Sequence, residues 1–381
     1  MHRLCYAALL VVGCRSNFDA VVSTDAMADA QPIEFDGCVA GEADCAWSHR
    51  APVVIDAQNS ETLVDVPVPV VLSAANFDFS AASSTGADLR FTTGSATEPL
   101  TYEVDEWRVD RAIVWVRLPI LEPTGSTIFL YYGNAAASAP EFSTAVFDDD
   151  FVGIWHLADA GEAEQLDASS YNNHGQPVGA VTSDVGVLES AARFDGTSFI
   201  NAGNASIFEL TSTGTLSAWV RFDSLTTFAS PVAKTEFGDN PNYSYGFRRD
   251  GESSGSMAAT VSDGVDDAEA LTEISPPALD RWYHYTARWD GSELVMFIDG
   301  ERSGAAVTQR TSQTNSAHNV TIGCAFSPGC TSDAGVDGVV DEVRISRIAR
   351  SNDWIATQFR LANGSVVIGP AEQAFSRAST R

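Results

Sequence analysis

WYHYTARWDGSELVMFIDG, residues 282–300, decides the class of fold. In its first half Trp282, His284 and Thr286 fall on one face and Tyr283, Tyr285 and Ala287 on the other, the period of two that marks a strand. Asp, Gly and Ser follow as turn residues, and ELVMFIDG (293–300) is a second β-rich run. The same pattern recurs in AIVWVRLPIL (112–121), TIFLYYG (127–133), TLSAWVRF (215–222) and GVVDEVRIS (338–346). Many short strands separated by Gly, Asp, Asn, Ser and Pro clusters predict an all-β chain of antiparallel sandwich or jelly-roll type, not a parallel α/β sheet. SNDWIATQF (351–359) is an exception: a serine cap opens it, and Trp354, Ile355 and Gln358 stand at helical spacing.

At 381 residues the chain is long enough for two domains. The small-residue, proline-containing stretch NAAASAPEFSTAVFDDD (134–150) is the natural boundary between two strand-rich blocks. Its 44% hydrophobic content is globular, and no apolar run reaches the roughly 18 residues of a membrane span. The net charge of −29, from 22 basic and 51 acidic side chains with Lys234 the single lysine, disfavours nucleic acids and acidic glycans as partners.

The N-terminus, MHRLCYAALLVVGCRS, resembles a bacterial lipoprotein signal with Val11-Val12-Gly13-Cys14 as lipobox. That resemblance implies cleavage after residue 13, a lipid on Cys14 and, with Arg15 next, an outer-membrane destination. Residues 14–44 are small, acidic and aperiodic, a flexible tether. Four further cysteines allow three connectivities, and the two close pairs make Cys38–Cys45 and Cys324–Cys330 the expected disulfides of an exported protein. Neither pair has the C-x-x-C spacing with partner histidines that zinc or thiol redox chemistry would use.

FVGIWHL (151–157), DASSYNNHG (167–175), AARFDGTSFINAG (191–203), GTLSAWVRF (214–222), RWYHYTARWDGSELVMFIDG (281–300) and VDEVRISRIARSNDWI (340–355) together resemble the bacterial laminin-G-like, concanavalin A-like domains. The resemblance implies a two-sheet antiparallel jelly roll over residues 148–370, usually a glycan or protein binder and often with a structural calcium ion. AWSHRAPVVID (46–56), VVLS (70–73), FDFSAASSTGADLRF (77–91), YEVDEW (102–107), IVWVRLP (113–119) and IFLYYGN (128–134) resemble a family of unknown function that often precedes such domains. It implies a first β-sandwich over residues 45–147, leaving 371–381 as a disordered tail.

Within DASSYNNHG, Asp167, Ser169, Asn172 and Asn173 offer the hard oxygens that calcium takes, although the spacing is not that of an EF-hand. In the resembled family this turn lies near the carboxylates of the last long strand, here VVDEVRI. Alternation puts Asp341 with Val339 and Val343 on an apolar face, and Glu342 with Val340 and Arg344 on the other. A carboxylate on an apolar face needs a partner, so Asp167 and Asp341 are the expected calcium ligands, the alternative being that Asp341 accepts turn N–H groups. His174 reads as a turn residue.

Ligand contacts are expected on the loop TEFGDNPNYSYG (235–246), through Asn240, Asn242 and Tyr243. Trp155, Trp219, Trp282 and Trp289 fit alternating core positions.

Catalytic patterns are weak. GESSG (251–255) fits G-x-S-x-G without the strand–turn–helix context of a nucleophile elbow. Glu103 and Asp105 share a strand face in YEVDEW and could serve as a carboxylate pair, but position 108 is arginine where the laminarinase-type motif has its third acid. His284 with Asp290 and His156 with Asp159 read as sheet packing. The expectation is therefore a non-catalytic cell-envelope lipoprotein, an adhesion module for a neutral glycan or an envelope or extracellular protein, touching the membrane only through its lipid. The alternatives are a purely structural envelope component and a divergent glycoside hydrolase.

Overall fold

The computed structural model describes residues 47–93, 99–138, 145–210, 212–235, 243–251, 254–262, 267–308, 317–325 and 329–373. The first six strands are β1 (His49–Ile55), β2 (Leu63–Ser73), β3 (Arg90–Thr93), β4 (Tyr102–Trp107), β5 (Arg111–Leu121) and β6 (Ser126–Tyr132). They form two antiparallel sheets, β1-β6-β3 and β2-β5-β4. Pro67 and Pro69 hold β2 at an edge: two residues apart, they turn the same N–H-less side of the strand away from β5.

The second sandwich begins with β7 (Phe151–Trp155), β8 (Gln176–Val178), β9 (Thr182–Val185), β10 (Ser190–Asp195) and β11 (Phe199–Gly203). It continues through β12 (Gly214–Ser224), β13 (Val232–Thr235), β14 (Tyr243–Arg249), β15 (Met257–Ser262) and β16 (Asp267–Leu271). The last five strands of this sandwich are β17 (Trp282–Trp289), β18 (Glu293–Ile298), β19 (Glu301–Thr308), β20 (Val320–Ile322) and β21 (Asp337–Ser346). An eight-stranded sheet in the order β19-β18-β17-β12-β21-β10-β9, with β7 also on β21, faces a seven-stranded sheet in the order β16-β15-β14-β13-β20-β11-β8. Trp155, Phe194, Tyr245, Tyr285 and Trp289 are buried between them. The expected all-β fold of stacked antiparallel sheets is thus present, and Tyr283, Tyr285 and Ala287 do share the inner face.

The chain ends with helix α1 (Asn352–Ala362), then β22 (Val366–Ile368) and β23 (Glu372–Gln373). Ser351 Oγ accepts the Trp354 N–H at 3.1 Å, the cap expected from the sequence. The Asp353 carboxylate accepts from Ser60 Oγ and the Glu61 N–H, tying the helix start to the first sandwich.

The two sandwiches are not separate bodies joined by a linker. One continuous apolar cluster runs from Val53, Val68 and Trp115 through Phe151 to Phe297 and Trp354. The outer face of the eight-stranded sheet is therefore covered, by α1 and by the sheet β2-β5-β4, and every residue of β21 after Asp337 is buried. Two parts of the expected domain plan are corrected. Val366–Ile368, placed at the end of the jelly roll, pairs with β1 of the first sandwich, and Glu372–Gln373, placed in a disordered tail, pairs with His49–Arg50. At the junction itself Arg350 makes a bidentate pair with Asp148, at 2.7 and 2.8 Å, beneath the rings of Phe151 and Trp354.

Because Trp354 fills the shared core, Trp354→Ala is expected to cost about 3 kcal/mol. Thermal denaturation should show one transition moved to lower temperature. Two separate transitions, with only one displaced, would mean that the sandwiches unfold independently.

Candidate functional site

The polar decapeptide 166–175 lies in the loop from β7 in one sheet to β8 in the other, the corner its composition suggested. Its chemistry is a closed set of hydrogen bonds. Asp167 Oδ1 accepts the Ile154 and Ser169 N–H groups at 2.8 and 2.9 Å; Oδ2 accepts Ser169 Oγ–H and the Asn173 N–H at 2.8 and 2.7 Å. His174 Nδ1 accepts the Asp167 N–H at 3.0 Å, and Trp155 Nε1 donates to the Asn173 carbonyl at 3.2 Å. With both oxygens of Asp167 doubly occupied by donors, this carboxylate does not fit a cation.

Asp341 is engaged elsewhere. Its Oδ2 accepts the Val187 and Leu188 N–H groups at 2.7 and 3.3 Å, an approach that Gly186 permits, since a Cβ there would lie 2.4 Å from that oxygen. The structure thus gives Asp167 and Asp341 separate sets of backbone amides. Burial, reinforced by Glu342, raises the Asp341 carboxyl well above the usual range despite the two amides. Asp167→Ala is expected to strand three amides and cost about 3 kcal/mol, with no change in the wild-type melting temperature on adding calcium or chelator. A chelator that lowers the wild-type melting temperature but not the variant's would restore the calcium expectation.

The face assignment on this strand is a second correction. Val340, Val343 and Ile345 point into the inter-sheet core, so the alternation slips by one between them. The cause is a β-bulge against β12, with Ser217 opposite Arg344 and Trp219 opposite Asp341, and Glu342 in a left-handed conformation at φ 49°. Through it Glu342 and Arg344 both lie on the outer, domain-facing side. On β4 the register also slips, between Val104 and Glu106, and Asp105 is the extra residue.

These two bulges bring acids from different sandwiches to one imidazole. His156 is buried under the Trp115 ring, stacked at 5.2 Å and 17°. Its Nδ1 lies 2.8 Å from Glu342 Oε1, its Nε2 3.1 Å from Glu103 Oε1, and an Asp105 oxygen completes a group within 4.8 Å of the imidazole and Glu342. The chain of contacts continues: Arg344 Nη2 donates to Glu342 Oε2 at 2.7 Å, Arg344 Nη1 to Gln358 Oε1 at 2.7 Å, and Gln358 Nε2 to the Pro67 carbonyl at 3.5 Å. A polar circuit thus runs from β4 through β21 and α1 back to β2.

Burial alone would lower the His156 pKa, but Glu342, Asp105 and Glu103 outweigh it and raise it well above the ordinary value, making an imidazolium that donates from both nitrogens. Burial would raise Glu342, yet His156 and Arg344 bring it below the usual range. Burial drives Asp105 up to about 7; His156 opposes the shift, while Glu342 and Glu103 add to it.

On the cleft side Glu103, Asp105 and His156 form part of the wall of a cavity of about 560 Å³, which Glu106, Arg108 and the loop residues Asp159 and His174 complete. The sequence had marked Glu103 with Asp105, and His156 with Asp159, as separate weak catalytic patterns. The fold assembles them in one place, and adds Glu342, Arg344 and Trp115, which no motif pointed to.

His284, by contrast, is core. It stacks against Trp219 at 4.9 Å and Phe359 at 6.3 Å, with Nδ1 unpartnered among the described residues. Trp155, Trp219 and Trp289 are buried as expected. β14, which ends at Arg249, and β15, which starts at Met257, are antiparallel partners, so GESSG is followed by a strand and not by the helix of a nucleophile elbow; Glu252 and Ser253 lie outside the described residues. Cys324 and Cys330 form the expected disulfide, with Cα atoms 5.9 Å apart. Cys14, Cys38, Cys45, Asn240 and Asn242 lie outside the described residues, and Tyr243 is described only as the first residue of β14.

Burial, with Arg344 nearby, lowers His284 from 6.5 to about 3. The fold therefore refuses a proton that the unfolded chain accepts, so this group removes stability as pH falls from 6.5 toward 3. His284→Phe should stabilise the protein at pH 5 relative to pH 7.5 by on the order of 2 kcal/mol, read from denaturant midpoints at the two pH values. An equal effect at both would contradict a neutral, proton-refusing imidazole.

Residues 194–356 match the concanavalin A-like lectin/glucanases superfamily (Laminin_G_3), and residues 85–158 match a domain of unknown function (DUF2341). The chain therefore carries a concanavalin A-like domain preceded by that second family. Glu103, Asp105 and His156 fall within the second match and Glu342 within the first, so the cluster spans both. No curated protein matches the chain. Among solved structures, Domain 4 of AbnA, a GH43 extracellular arabinanase from Geobacillus stearothermophilus, in complex with arabinotriose, is 17% identical over 56% of this chain and 98% of that one, at a TM-score of 0.40. The binding domain of Paraclostridial Mosquitocidal Protein 1 is 12% identical over 55% of this chain and 52% of that one, at 0.43. A structure of botulinum neurotoxin type C, whose title reports cell entry dependent on two ganglioside molecules, is 11% identical over 56% and 52%, at 0.41.

Proposed function

We propose that the protein is a non-catalytic binding module of the bacterial cell envelope, held to the membrane by a lipid on Cys14, that receives a neutral glycan in the junction cleft. One observation carries this reading: a cavity of about 560 Å³ walled by β4 of one sandwich and the β7–β8 loop of the other, with convergent carboxylate and imidazole groups. Its size falls in the range of roughly 300–1,000 Å³ typical of small-molecule sites. A saccharide presents hydroxyls that need such acceptors and donors, and C–H faces that pack on apolar side chains such as the exposed Leu166 in the cavity wall. Glu103, Asp105, Glu106 and Asp159 outnumber Arg108 on the wall, which disfavours anionic sugars. The match to the concanavalin A-like superfamily is in keeping with a binding role, and the lipobox-like VVGC with an envelope location.

Hydrolysis is the second reading, because Asp105 at about 7 is a proton donor at neutral pH in the same cleft as Glu103, the division of labour that glycosidases use.

A glycan array followed by calorimetry on the whole chain tests both readings. Binding of neutral oligosaccharides is expected, weakened at least about tenfold by Asp159→Asn in the cavity wall, a loss of about 1.4 kcal/mol, and untouched by Tyr243→Ala. Binding lost only in Tyr243→Ala would move the site to the 235–246 loop, and an array without neutral ligands would overturn the proposal. Cleavage of a β-glucan, abolished by Glu103→Gln, would replace it with the hydrolase.

A further inference from the structure

The acids around His156 are arranged as more than a clasp for a charged ring. An oxygen of Asp105, a nitrogen of His156 and an oxygen of Glu342 lie within 4.8 Å of one another. The 2.8 Å between His156 Nδ1 and Glu342 Oε1 is a hydrogen-bond distance. Neighbouring donors on a tetrahedral ion with bonds of about 2.1 Å lie about 3.4 Å apart, so this pair would open by roughly half an ångström to take zinc in place of the shared proton. The surroundings resemble a metal site's outer layer. Glu103 holds the other imidazole nitrogen, which fixes ring orientation as carboxylates behind metal-bound histidines do, and Arg344 holds the second oxygen of Glu342. Asp341, next along the strand, is fully buried and leaves Oδ1 without a partner among the described residues.

Charge points the same way. With His156 an imidazolium, the carboxylates of Glu103, Asp105 and Glu342 against it and the guanidinium of Arg344 leave one excess negative charge in a buried place, and release of the ring proton to an incoming ion leaves two. A divalent cation balances them. Asp105 and His156 line the open cleft, so an ion and its water have a way in.

We propose that Asp105, His156 and Glu342 form a binding site for a divalent transition-metal ion, zinc by preference, at the floor of the junction cleft. An imidazole among the donors selects zinc-class ions over calcium or magnesium, which favour oxygen alone. The site is independent of the glycan proposal, since the ion is tested by itself.

The whole chain, stripped with EDTA, is titrated with zinc chloride by calorimetry and with cobalt chloride by visible absorbance, with calcium chloride as the contrasting ion. Expected are one zinc per chain, a cobalt spectrum showing nitrogen–oxygen coordination, and no calcium competition. Asp105→Asn should weaken zinc binding by at least about a hundredfold, and Glu103→Gln, which acts through the imidazole, by about tenfold. Asp159→Asn, in the cleft wall but outside the cluster, should leave it unchanged. His156→Gln should abolish binding; if that variant does not fold, the near-isosteric Asp105→Asn, checked by circular dichroism, decides alone. Absence of stoichiometric zinc binding, or binding that survives Asp105→Asn in a folded protein, would overturn the site and leave His156 as an imidazolium between glutamates.

Discussion

Covering the outer face of the eight-stranded sheet is the constraint on which the rest of the structure depends. A sheet packed on one face would leave the apolar side chains of β18 and α1 in water. Here Val295, Phe297, Trp354 and Leu361 share one cluster with Trp115 and Val68 of the first sandwich. At about 25 cal/mol per Å² of apolar surface removed from water, a contact of this kind is a large part of a domain's marginal stability. It also explains why β22 and β23 return to β1: the chain that starts the first sandwich is closed by the chain that leaves the second.

Burying that face creates an electrostatic problem, and the cleft is its outcome. Glu342 and Arg344 sit on β21 where the domains meet, and His156 and Asp105 are pressed against them from the other side. Removing any one partner would leave a charge uncompensated in low dielectric, the costly way to break such a cluster. Nature could have filled the place with apolar side chains, as the neighbouring Val295 and Phe297 show. A polar circuit through four elements, with two bulges and one left-handed glutamate supporting it, is the kind of local strain that accompanies ligand sites.

Much of this fold was legible in the sequence because period two is a strong signal. The runs at 112–121, 127–133, 215–222 and 338–346 are all strands, and Ser351 caps the helix as read. The corner role of residues 166–175 and the Cys324–Cys330 bond were equally readable, since composition and short spacing determine both. The side chains of the cleft were not. Alternation fails at Glu342 because one extra residue enters β21, and the left-handed position is held by a glutamate, where a glycine would have announced it. His156 looked like sheet packing because its partner Glu342 is 186 residues away, in the other matched segment. Nothing local in VVDEVRI or FVGIWHL encodes that meeting; only the packing of one sandwich on the other does.

Amide hydrogen exchange on the intact chain tests the shared core most directly, by comparing β5 of the first sandwich with β21 of the second. If one core unites them, both strands exchange only through global unfolding and report the same opening free energy. Exchange in β5 at an opening free energy several kcal/mol below that of β21 would contradict this. The first sandwich would then be a separately opening domain, and the cleft a transient gap between two bodies.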